Sequence, residues 1–191
     1  METSLIEEYT YPKYGPGQMW DTVAMRFEEF GGKLIKGANV EEIYVEDGNV
    51  QKIIYKKDGK QQTISSKYVI SSMPIKDLIY AMHDNSLTEE IKNYALNLPY
   101  RDFMTVGLLV KKLKLENETN IRTLGNIVPD CWIYVQEPDV EIGRIQIFNN
   151  WSPYLVKDIE NTVWVGLEYF CNEGDERWNM TDEEFAKFAI D

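Results

Sequence analysis

Two Asp-Gly pairs, Asp47-Gly48 and Asp58-Gly59, punctuate a stretch in which apolar and charged residues alternate, and they constrain the chain more than any other feature. Both residues of such a pair tolerate the positive φ that a two-residue hairpin turn demands. The pairs therefore predict an antiparallel meander over residues 40–46, 50–57 and 61–65. The charged residues inside these strands leave one face of the meander to water.

The flanking segments have other textures. Residues 5–11 read as extended and run into Tyr11-Pro12-Lys13-Tyr14-Gly15-Pro16-Gly17-Gln18, a turn rich in glycine and proline. Met19, Trp20, Val23, Ala24, Phe27 and Phe30 then recur at helical spacing, and Gly31-Gly32 ends that helix. Residues 68–72, short and apolar, resemble a strand buried on both faces. Pro74 opens a short helix carrying Leu78, Ile79 and Met82. Ser86-Leu87-Thr88-Glu89 has capping-box spacing for another, with Leu87, Ile91, Tyr94 and Ala95 turned inward.

Beyond Pro99, residues 103–110, 131–135, 144–149 and 162–170 are rich in β-branched and aromatic side chains and predict an antiparallel sheet. A last capping box, Thr181-Asp182-Glu183-Glu184, opens a helix through Phe185, Phe188 and Ala189 that the sequence leaves after barely two turns. The expectation is an excised piece of a longer parent. The fold class expected is α+β, a predominantly antiparallel, mixed sheet with packed helices.

Composition supports a folded chain: of 191 residues, 43% are hydrophobic and 27% charged, which excludes a disordered tail or a coiled coil. The net charge of -12 is unevenly spread, since residues 115–191 hold 16 acidic but only five basic side chains. Nucleic acid and anionic membrane surfaces are excluded as partners on that ground. The longest apolar runs are too short for a membrane span, and the first residues lack the basic, apolar texture of a leader, so a cytoplasmic location is expected. Cys131 and Cys171 fit buried free thiols in a reducing compartment. The three glycosylation-type triplets at Asn117, Asn150 and Asn179 are read as coincidence.

Little conventional catalytic equipment is present. One histidine, His83, and two cysteines do not make a zinc site, and Met82-His83-Asp84-Asn85 reads as a helix end. The adjacent acids at Glu41 and Glu42, Asp139 and Glu141, and Glu173 to Glu176 read as solvated charge. Gly15-Pro16-Gly17 precedes a helix, yet Pro16 removes an amide that a phosphate would use. The aromatic residues carry more promise. For Trp132, Trp164, Phe148 and Phe170 a place in the sheet core outweighs a binding role. Phe148-Asn149-Asn150-Trp151-Ser152-Pro153-Tyr154 gathers rings, amides and hydroxyls at a strand end, which suits a ring-bearing, sugar or nucleotide ligand and marks Trp151 and Tyr154.

The order of Tyr11-Pro12-Lys13, Gly15, Gly17 and Gln18, the helix ending at Gly31-Gly32, the hairpin, and Tyr68-Val69-Ile70-Ser71-Ser72-Met73-Pro74 resembles the middle of flavin-dependent amine oxidase-type proteins. That superfamily includes protoporphyrinogen oxidases, phytoene desaturases and, more distantly, UDP-galactopyranose mutases. The resemblance covers residues 5–80 by ordered spacing. It implies that residues 1–75 belong in part to an FAD-binding domain and that 76–191 form a substrate-binding domain. It places Val40, Ser72 and Pro74 beside the flavin nucleotide, with Ser72 standing where the family has threonine, and Tyr11, Lys13, Trp151 and Tyr154 around a small-molecule substrate.

The family's dinucleotide fingerprint and its C-terminal flavin motif are absent from this sequence. The missing dinucleotide-binding portion of a parent chain is therefore an expected partner, and this piece alone is expected neither to retain FAD nor to be active. The expected function is that of a fragment of an FAD-dependent oxidoreductase. Alternatives are a flavin-dependent isomerase related to UDP-galactopyranose mutase, for which residues 115–191 offer few cations, and a non-catalytic aromatic platform for carbohydrate.

Overall fold

The computed structural model of the chain describes residues 10–191, so most of the expected extended segment 5–11 lies outside it. The elements are α1 (Pro16–Glu29), β1 (Ala38–Glu46), β2 (Asn49–Lys57), β3 (Lys60–Ile64), α2 (Ile75–Ala81), β4 (Met82–Asp84), α3 (Glu89–Leu96), β5 (Asp102–Val110), β6 (Trp132–Tyr134), β7 (Arg144–Ile147), α4 (Phe148–Trp151), β8 (Val163–Cys171) and α5 (Asp182–Ile190). The class is α+β, as the sequence indicates. The strands form two four-stranded sheets, ordered β3-β2-β1-β4 and β5-β8-β7-β6. Contacts divide the chain into two compact units, Gly32–Tyr100 and the remainder, Met1–Gly31 with Arg101–Asp191.

In the unit Gly32–Tyr100 both hairpin turns form as their sequences require. Asp47 and Gly48 have φ of 50° and 71°, and Asp58 and Gly59 have 51° and 74°, the left-handed pair of a tight hairpin. β1 and β2 pair antiparallel with irregularities at Val40/Glu42 and Tyr44/Val45. The buried core is small: Ile43, Tyr55, Ala81 and Ala95.

Two expectations fail in this unit and a third holds in part. Residues 68–72 form no strand; Tyr68 and Ile70 are exposed, and β4 takes the place beside β1, pairing parallel to it. An apolar run becomes a strand only where a neighbour supplies its ladder hydrogen bonds, and among the described residues none pairs with it. Met82 does end a helix, as the C-cap of α2, but His83 and Asp84 continue from it as the strand β4. The cap of α3 is Thr88, whose hydroxyl accepts from Ile91 N, while Ser86 turns back to Asp84. The cap thus lies two residues later than expected, and in the helix Ile91 and Tyr94 are exposed and only Ala95 is buried.

In the second unit α1 begins with Pro16 at its first turn and ends where Gly31, at φ 86°, accepts the left-handed turn. None of its residues is buried among the described residues. β5 and β8 pair over their whole lengths, and β7 and β6 extend the sheet. One face carries the core: Ile147, Val163, Val165 and Ile127, with Ile133, Ile145 and Leu167 against them. α5, held by the expected Thr181/Glu184 capping box, packs Phe185 and Phe188 on Tyr169 at the end of that face. Cys171 is buried on it too. Among the described residues no helix is long and apolar enough to cross a membrane.

Candidate functional site

Strand alternation hands the opposite face of the β5-β8-β7-β6 sheet a different set of residues. Trp132 and Tyr134 stand across from Gln146 and Arg144, and Arg144 stands across from Glu168. Phe103 pairs with Phe170, and Gly107 with Gly166. This face is open, since Phe103, Leu109, Trp132 and Tyr134 are all exposed. The core role expected for Trp132 and Trp164 does not hold; they are 45% and 37% exposed, because their strand positions alternate with the buried ones.

Glycines let the rings lie close to the backbone. A β-carbon on Gly143 would sit 2.5 Å from the Phe170 ring, one on Gly166 3.0 Å from Phe148, and one on Gly107 3.1 Å from Trp164 Nε1. Phe148 and Trp164 pack together at 4.6 Å. Around Phe170 stand two guanidinium groups, Arg101 at 4.4 Å and Arg144 at 5.5 Å from the ring centroid. Arg144 also lies 5.8 Å from the Trp132 ring and 5.9 Å from Phe103. Glu168, buried beneath, makes a close ion-pair contact with Arg144 Nε and accepts from the Gln146 amide.

The turn after β7 brings a second cluster to the edge of this face. Asn149, buried, donates to Thr162 O and accepts from Trp164 N; Asn150 donates to Val128 O and Asp130 O. These bonds fix Trp151 and Ser152 in place. The Ser152 hydroxyl donates to Lys13 O at 2.7 Å and tethers the N-terminal turn. Trp151 then meets Tyr11 at 5.2 Å and Trp132 at 5.0 Å, and Lys13 Nζ lies 4.0 Å over the Tyr154 ring. Burial, and then the neighbouring Cys131, push the Tyr11 phenol up, so it remains a neutral O–H donor. Thus Tyr11, Lys13, Trp151 and Tyr154, singled out together in the sequence, are brought together in space.

Arg101, Arg144 and Glu168 were not singled out, and Trp132 and Phe170 were assigned to the sheet core. Their signal was available as the period-two split of each strand into apolar and polar-aromatic halves. The asparagines of the three glycosylation-type triplets all spend their amides on backbone carbonyls, Asn117 on Ile121, Asn150 as above, and Asn179 on Gly174 and Asp175.

Val40, Ser72 and Pro74 lie in the other unit. Val40 lines a hollow of about 580 Å³ with Ala38, Asn39, Glu41, Met73, Asp77, Tyr80 and Ala81. Ser72 and Pro74 flank Met73; Ser72 is exposed, and Pro74 caps α2. No group of three or more metal-binding side chains occurs among the described residues.

No protein-family model matches the sequence, and no curated protein matches it significantly. Comparison with solved structures gives a clear likeness to the crystal structure of reduced UDP-galactopyranose mutase, at a TM-score of 0.69 and 17% identity. The chain has a flavoenzyme-like fold. The alignment covers 94% of this chain and 35% of the mutase chain, so the chain spans about a third of the length of its structural neighbour.

Proposed function

We propose that this chain supplies the substrate face and the nucleoside end of the cofactor site of a flavin-dependent enzyme whose substrate is a sugar bearing an anionic group. The observation that carries this reading is the open sheet face. Flat rings at Trp132, Trp151 and Tyr11 suit the apolar face of a sugar or base, and two guanidinium groups, Arg101 and Arg144, flank the same surface. Cations collected on an otherwise strongly acidic part of the chain favour an anionic ligand and disfavour an amine. A nucleotide sugar such as UDP-galactose combines both features, which favours mutase chemistry over amine oxidation; the fold likeness points the same way.

The hollow beside Val40 fits part of FAD. Met73 and Tyr80 offer apolar contact to a flat base, while Asn39, Glu41 and Asp77 can accept from ribose hydroxyls. No cationic side chain lines it, so the phosphates would be held by other parts of the protein. FAD when bound would supply the redox or nucleophilic chemistry. In this reading Tyr11, Lys13, Trp151 and Tyr154 contact the substrate.

Calorimetry of the chain with UDP-galactose tests the binding reading: saturable binding competed by UDP supports it, and no binding at millimolar ligand contradicts it. Incubating the full-length parent, which carries the dinucleotide-binding portion, with UDP-galactopyranose and FAD tests the chemistry. Furanose formation only after dithionite reduction supports the mutase reading, and net substrate oxidation replaces it with the oxidoreductase one.

A further inference from the structure

We infer that Glu168 is a positioning residue that aims the Arg144 guanidinium at the ligand, an inference that rests on the anionic-sugar reading of the same face. The burial of the pair is lopsided. The Glu168 side chain is 2% exposed and that of Arg144 22%, so the carboxylate is sunk in the sheet while the guanidinium reaches its open surface. Sinking a carboxylate is costly, and apolar residues of similar volume would serve packing as well or better. A pair that only stabilised the sheet would gain nothing from exposing its cation.

The geometry instead suits presentation. Glu168 sits within β8, a strand paired on both sides, across from Thr105 on one side and Arg144 on the other. Its Oε2 makes an ion-pair contact with Arg144 Nε that lacks hydrogen-bond geometry, and the Gln146 amide donates to the other carboxylate oxygen. The rings of Trp132 and Phe170 lie 5.8 Å and 5.5 Å from Arg144 Cζ and limit its swing. A planar guanidinium held at its Nε end by the charge of Glu168 keeps its two terminal nitrogens for a phosphate, the bidentate fork that lysine lacks.

The sign of one substitution separates positioning from mere neutralisation. Removing the carboxylate raises the local positive potential, so a Glu168 that only neutralised Arg144 would, when replaced by Gln, leave UDP bound as tightly or more tightly. Positioning demands the reverse. Calorimetry with UDP is expected to show affinity reduced about tenfold in Glu168→Gln, which corresponds to loss of one charge-assisted contact. Arg144→Lys should lose as much, and the double variant no more than Arg144→Lys alone. Unchanged or tighter UDP binding in folded Glu168→Gln overturns the inference.

A ligand-free measurement keeps it separate from the functional reading. In ¹⁵N NMR of the arginine side chains, Arg144 Nε–H should give a slowly exchanging signal in the wild type that is lost in Glu168→Gln. Persistence of that signal overturns the positioning role, whether or not UDP binds. Failure of the wild type to bind UDP overturns the anionic-sugar reading alone. Should Glu168→Gln not fold, Glu168→Asp, one methylene shorter, is expected to weaken UDP partially, and full wild-type affinity there overturns the inference.

Discussion

The two faces of the β5-β8-β7-β6 sheet are built from the same strands and differ in nearly everything else. One buries Ile147, Val163 and Val165 under loops and α5; the other exposes Trp132, Phe103 and Leu109 and sets Arg144 over a buried Glu168. The first is ordinary packing. The second combines open rings, sunken charge and glycines that clear space for side chains, which packing alone does not call for. The difference locates function by what stability leaves unexplained.

The comparison can be broken by substitutions on each face. Ile147→Ala should give the largest change in stability, roughly 2–5 kcal/mol by denaturant unfolding, because its side chain is 1% exposed and leaves a cavity. Ligand affinity of the folded fraction should survive. Gly143→Ala comes next: its β-carbon meets Phe170 at 2.5 Å, so the ring must shift, at a cost of about 1–3 kcal/mol. Because Arg101 and Arg144 both pack on that ring, UDP affinity should fall as well.

Trp132→Ala should cost under about 1 kcal/mol of stability at its half-open position while weakening UDP-galactose about tenfold. Equal losses of stability in Trp132→Ala and Ile147→Ala would erase the distinction between the faces.

The smallest effect concerns Cys171. Burial first, then Asp175 and Asp102, push its thiol up, so the folded state favours the protonated form. Its contribution to stability is therefore complete below the thiol's unfolded pKa and fades as pH rises through the folded one. A thiol reagent at mildly alkaline pH should label Cys171 only on unfolding, and prompt labelling of the native protein would show that the core face is open.

Much of this was legible in the sequence where local chemistry decides. The Asp-Gly turns, the Gly31 stop and the Thr181 box depend on φ and on near neighbours, and they form as read. Residues 68–72 fail for the complementary reason, since strand formation there depends on a partner that the local sequence does not supply. Tyr11 and Trp151 were both singled out, yet their meeting depends on Ser152 reaching back to Lys13 across the whole chain. Arg144 and Glu168 escaped notice because an ion pair between neighbouring strands follows from register, and register is set by β7 against β8 and not by either segment alone.

The most direct test uses the chain's own five tryptophans. Trp132, Trp151 and Trp164 belong to the open face and its edge, whereas Trp20 lies on α1 and Trp178 in the loop before α5. Indole N–H signals followed by NMR during titration with UDP-galactose should shift for the first three and stay fixed for the other two. Shifts confined to Trp20 or Trp178, or none at saturating ligand, would contradict the assignment of this sheet face as the binding surface.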